Sequence, residues 1–112
     1  MKIPTQRIEP GFYRHYKYDP SGEFANYSYE VLGVGIHTED NCAPEDANMV
    51  VYRALYSSPS GFNENGLYYI RPYEMFIDVV EKNGEKIQRF TKITDPKIME
   101  NLESIKQTMY RV

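Results

Sequence analysis

Apolar and polar residues alternate with a period of two along most of this chain, as in strands with one face turned inward, and the C-terminal segment changes to helical spacing. The run from Met49 to Tyr56, MVVYRALY, departs from the alternation because it is largely apolar on both sides. In a strand, Met49, Val51, Arg53 and Leu55 share one face there, and Val50, Tyr52, Ala54 and Tyr56 share the other. Such a strand is expected to be central and covered from above and below. Ahead of it, residues 1–9 read as a lead-in and Pro10-Gly11 as a turn. Phe12 to Tyr18, FYRHYKY, is then a strand with Phe12, Arg14, Tyr16 and Tyr18 on one face and Tyr13, His15 and Lys17 on the other. A turn and loop run from Asp19 to Asn26. Tyr27 to His37 forms the next strand, with Tyr27, Tyr29, Val31, Gly33, Gly35 and His37 on one side and Glu30, Leu32, Val34 and Ile36 on the other. Two glycines on one face leave room for a bend or a shallow pocket.

Thr38 to Asn48 is acidic and turn-rich, and the Ser-, Gly- and Asn-dense stretch 57–66 is an exposed loop. Leu67 to Arg71 is a short strand halted by Pro72, which has no amide hydrogen to give to a ladder. Tyr73 to Phe76 fits one helical turn, and Ile77 to Glu81 resumes as a strand. Asn83-Gly84 predicts a tight hairpin into a strand over Lys86 to Lys92. From Pro96 to Tyr110, Ile98, Leu102, Ile105 and Met109 recur at helical spacing, with Thr94 or Asp95 as cap and Pro96 in the first turn. That apolar stripe must dock on the sheet or on a second copy of the chain, so both a monomer and a homodimer are open.

With 112 residues, the chain is expected to form one domain, a sheet unit over about 10–92 and a helix over about 96–110. Lys and Arg number 13 against 16 Asp and Glu, a net charge of -3, which argues against a broad nucleic-acid surface. The single cysteine, Cys42, allows no internal disulfide. Neither a signal-peptide core nor a membrane-length apolar run is found, so a cytoplasmic protein with no membrane partner is expected. Eleven tyrosines with no tryptophan is the unusual count. Tyrosine suits half-buried sheet surfaces and stacking on a ligand ring equally well.

The candidate chemistry is sparse. Arg53 lies in an apolar strand and cannot shed its charge, so it needs an acidic partner, an opening to solvent or an anionic ligand. The plainer reading packs its stem and sends its head to the surface or to an internal carboxylate. His37 with Glu39 is the pair a general-base hypothesis selects, with Arg53 for an oxyanion or phosphate, which describes a hydrolase. A zinc site lacks ligands, since Cys42 is the only further soft donor, so no metal and no cofactor is expected. No nucleophile elbow, phosphate loop or zinc-binding helix motif occurs. What remains is His15, Lys17, His37, Arg53 and Arg71 with Tyr52 and Tyr69 nearby, a set suited to a nucleotide-like or other aromatic anion.

The residues also form an ordered series: Pro10-Gly11-x-Tyr13-x-His15-Tyr16-Lys17, Tyr29-Glu30-Val31-x-Gly33, His37-Thr38-Glu39, Val50-Val51-Tyr52-Arg53-x-Leu55-Tyr56, Arg71-Pro72-x-x-Met75-Phe76 and Arg89-Phe90. Over about residues 10–91 this series resembles the small bacterial and phage family called domain of unknown function 1653. The resemblance implies an SH3-like β-barrel and brings no established activity. The chain departs from that pattern at Tyr18 to Tyr27 and Ser57 to Gly66, both longer, and in the helix beyond the match. The expected fold is thus mainly β, an SH3-like barrel of five or six antiparallel strands with a C-terminal α-helix. The expected function is a non-enzymatic module binding a small anionic or nucleotide-like ligand or a short peptide. The alternatives are the His37/Glu39 hydrolase and a protein-interaction adaptor working through the loops 18–27 and 57–66.

Overall fold

The computed structural model describes residues 8–39, 41–44, 47–56 and 68–110. The elements are β1 (Gly11–His15), β2 (Ser28–Ile36), β3 (Asn48–Ala54), β4 (Tyr69–Pro72), α1 (Tyr73–Phe76), β5 (Val79–Lys82), β6 (Glu85–Gln88), β7 (Phe90–Lys92) and α2 (Pro96–Met109). Five strands form one antiparallel sheet in the order β4-β3-β2-β1-β7, and β5 pairs with β6 in a separate hairpin. The doubly apolar run lies at β3, an interior strand covered on both faces. Val50, Tyr52 and Ala54 enter an aromatic cluster, while Leu55, just past the strand, joins a second cluster under α2. The 57–66 loop, Asp40, Glu45, Asp46 and most of the lead-in fall outside the described residues.

Three expectations change. The fold is mainly β and antiparallel as expected, but the sheet does not close into a barrel: among the described residues β4 and β7 are its two edges. They meet through side chains, because Phe76 of α1 stacks flat on Phe90 of β7 with ring centroids 4.0 Å apart and an interplanar angle of 3°. The strand expected over Lys86 to Lys92 is two strands in two sheets. The chain changes sheet at Arg89, whose amide donates to the Asp78 carbonyl. Finally, β2 does not keep one phase. Val31 pairs with Tyr52 but Gly33 pairs with Val51, so a bulge at Leu32 reverses the faces. Tyr29 and Val31 therefore share the aromatic face with Val34, whereas Gly33 (φ +156) and Gly35 sit opposite Val51 and Met49 on the other face.

The hairpin and both helices follow their sequence signals. Asn83 (φ 54) and Gly84 (φ 82) take the left-handed conformations that a two-residue turn requires. The Asp95 carboxylate accepts hydrogen bonds from the Lys97 and Ile98 amides at the start of α2. This helix packs Leu102, fully buried, with Ile98, Ile105 and Tyr110 against Leu55, Ile93 and Phe12. A charged row crosses the same face. Arg53 donates to Glu30 at 2.9 Å, directly across the β2/β3 ladder, and Lys106 of α2 reaches the other oxygen of Glu30 at 3.2 Å. The Arg53 guanidinium lies 4.0 Å over the Tyr110 ring. Among the described residues no helix is long and apolar enough to cross a membrane.

Candidate functional site

The face of the sheet away from α2 is a largely buried cluster of aromatic rings with Val31, Val50 and Ala54 among them. Alternation and register bring them together: Tyr13 of β1 pairs with Tyr29 of β2, Val31 with Tyr52 of β3, Tyr52 with Tyr69 of β4, and His15 with Phe90 of β7. Tyr52 meets Tyr29, Tyr69, Phe76 and Phe90 edge-on, each with centroids 5.5–5.7 Å apart. The hydroxyls of Tyr29 and Tyr56 hydrogen-bond at 2.9 Å, and burial drives the Tyr29 hydroxyl far above its ordinary range, so it stays a neutral phenol. Arg71 comes in from the β4 edge. Its Nε–H donates to the Tyr52 hydroxyl at 3.4 Å, and its guanidinium lies 5.6 Å over the Phe90 ring. Among the described residues Arg71 forms no ion pair with a carboxylate.

His15, like Arg71, contacts Phe90. Its ring meets Phe90 edge-on at 5.0 Å and stacks on Tyr27 at 5.6 Å. Tyr27 has φ 54, a conformation costly for a residue with a Cβ. The Lys17 amide donates to His15 Nδ1 at 3.2 Å, so the neutral ring carries its proton on Nε2. Burial first, then the positive charges of Arg71, Arg89 and Lys17, push the His15 pKa down from 6.5 to about 4. A base held neutral in the fold and free to protonate when unfolded stabilises the fold above pH 6.5, and that stability is lost as pH falls toward 4. His15→Gln should flatten the fall in melting temperature over that window; an unchanged profile would mean that other groups cause it. Beside this pair Arg89 binds Asp78 through two oxygens, at 2.6 and 3.1 Å, which holds the Asp78 carboxyl below its ordinary range.

The residues selected from sequence therefore separate into two groups. His15, Arg71, Tyr52 and Tyr69 converge on the aromatic face, with Lys17 at its margin through its amide and its charge on His15. Arg53 is on the opposite face, held by Glu30 and Tyr110. The His37 amide pairs with the Ala47 carbonyl, six residues before Arg53, which places it roughly 20 Å from Arg53 along extended chain. His37 Nδ1 accepts from the Glu39 backbone amide at 3.1 Å, so the contact between them does not involve the carboxylate. Among the described residues no three His, Cys, Asp or Glu side chains gather in a metal-binding group. Sequence reasoning did not select Tyr27, Asp78, Arg89 or Phe90. Arg89-Phe90 stood in the family-like series, yet nothing in a strand pattern announces that Phe90 is the ring on which Arg71 and His15 meet.

No curated protein and no solved structure is found to match the chain. Residues 11–92, well over half of the sequence, match the family described as "Protein of unknown function (DUF1653)". The match ends before α2, so it contains the whole aromatic face and both edges of the sheet. The chain belongs to the DUF1653 family.

Proposed function

We propose that this protein is a non-enzymatic binding module that takes a small anion carrying a planar ring, a nucleotide-like ligand, on its aromatic face. One observation carries the reading: Arg71, half-buried over Phe90 and bonded to the Tyr52 hydroxyl, makes no direct ion pair with a carboxylate among the described residues and only shares the field of Asp78, whereas Arg53 and Arg89 each grip one directly. A guanidinium in that position forks onto a phosphate or carboxylate, and His15 and Phe90 set rings of the same face beside it. The neutral His15 adds a donor at Nε2 without adding charge. The open sheet, bridged at its gap by the Phe76–Phe90 stack, supports reading the unit as an SH3-like barrel unzipped between β4 and β7.

Calorimetry with adenosine monophosphate, adenosine and inorganic phosphate on wild type, Arg71→Ala and Arg53→Ala tests this. Adenosine monophosphate should bind wild type, and Arg71→Ala should weaken it by about 10- to 100-fold, the span of a charge-assisted hydrogen bond. Arg53→Ala should melt earlier yet bind normally while folded. Heat from none of the three probes at millimolar concentration, or equal binding by Arg71→Ala, removes the proposal.

A further inference from the structure

We infer that a second, smaller binding site lies between α1 and the β1/β7 edge, and that its ligand is a small aromatic carboxylate. A pocket of about 240 Å³ opens there, walled by Tyr13, Phe76, Ile77 and Phe90, with polar groups from Gln88 and Lys92. A cavity of about 150 Å³ already admits one benzene ring, and drug-sized or nucleotide ligands need roughly 300 Å³ or more. The volume thus matches a single substituted ring better than a nucleotide. The two sites share the Phe90 ring, but Arg71 does not line this pocket, so Arg71→Ala tells them apart.

The charge at the mouth selects the ring's substituent. Lys92 pairs with Tyr13 across the β1/β7 ladder, so its side chain rises on the aromatic face. Its stem passes over the bare backbone of Gly11 (φ +149), where an added Cβ would stand 3.2 Å from Lys92 Cε. The ammonium already grips one carboxylate: Glu9 lies 2.6 Å away, its side chain 73% exposed against 33% for Lys92. A pair so open to water contributes little, and a ligand carboxylate whose ring gains an apolar wall can displace Glu9. Tyr13 cannot compete for the ligand as a donor, because its hydroxyl donates to the Glu9 carbonyl at 2.7 Å. The Gln88 amide remains as a second donor at the mouth.

Benzoate is the probe, with benzyl alcohol as its uncharged counterpart and backbone amide shifts in nuclear magnetic resonance as the readout. Benzoate should give saturable shifts at Tyr13, Phe76, Phe90 and Lys92, with benzyl alcohol about tenfold weaker or more. Lys92→Met, which keeps the stem, should weaken benzoate about tenfold, and Lys92→Gln serves if the first variant melts early. Glu9→Gln should tighten benzoate two- to threefold by removing the competing carboxylate, an effect that a merely structural Lys92–Glu9 pair would not give. Arg71→Ala should leave benzoate binding unchanged. Absence of saturable shifts at millimolar benzoate, equal binding by the Lys92 variants, equal affinity for benzyl alcohol, or loss of benzoate in Arg71→Ala each overturns the site.

Discussion

A chain stopped after Asp95 melts at least about 15 °C below the full-length protein and associates on warming. The cause lies on the sheet side of the α2 contact. Without the helix, Leu55 and Ile93, now 0% and 7% exposed, lose their cover, and half-buried Phe12 loses it with them. Re-exposing two such large side chains costs roughly 3–6 kcal/mol, a large part of the 5–15 kcal/mol that holds a typical domain together. The charged row loses too. Glu30 keeps Arg53 but not Lys106, and Arg53 loses the Tyr110 ring beneath it. The exposed strip around Leu55 then gives two truncated chains a surface on which to pair. Thermal melting with light scattering decides the matter. A truncated chain that melts within about 5 °C of the full one and stays monodisperse would show that residues 11–92, the span of the family, need no helix.

That helix was readable in advance because its signals are local: an aspartate cap, a proline in the first turn and a stripe at helical spacing. The Asn83-Gly84 turn and the two faces of β3 were readable for the same reason. What escaped is set by pairing between distant segments. The bulge at Leu32 leaves no mark in composition, yet it moves Gly33 and Gly35 from one face to the other. The carboxylate for Arg53 is Glu30, whose place opposite it depends on the β2/β3 register and cannot be counted along the chain. The division of Lys86 to Lys92 between two sheets is another such case, because a hairpin signal fixes where strands turn but not which neighbour they take next.

The site follows the same division. Alternation places Tyr13 with His15 and Tyr52 with Val50, Ala54 and Tyr56, whereas Tyr69 and Arg71 join them through the β3/β4 register. Arg53 and Arg71 looked alike in sequence, each a guanidinium in a tyrosine-rich strand. The difference is the face. Arg53 shares its face with Glu30 and α2, while Arg71 shares its own with rings and a histidine kept uncharged. His37 lies past the bulge at the far end of β2, out of reach of either arginine's partners.

Phe76→Ala should cost about 3–5 kcal/mol, the range for deleting a buried aromatic side chain, and lower the melting temperature by roughly 12–30 °C. Phe76 is 1% exposed and stands where side chains join the two sheet edges. Besides stacking on Phe90, it meets Tyr13 edge-on at 5.8 Å and Tyr52 at 5.5 Å, so its loss empties space on three sides. The four-residue α1 has no side-chain cap and is too short to persist without that anchor. Phe90 would keep its backbone pairing with His15 but lose the ring that fixes its tilt, and with it the surface under Arg71. Ligand binding on the Arg71 face should therefore weaken along with stability, and benzoate binding should weaken too because Phe76 walls its pocket. Phe76→Leu, which refills much of the volume, should recover more than half of the lost stability. Differential scanning calorimetry of both variants supplies the test: a Phe76→Ala protein melting within about 5 °C of wild type would show that the β4 and β7 edges are held together by something other than this stack.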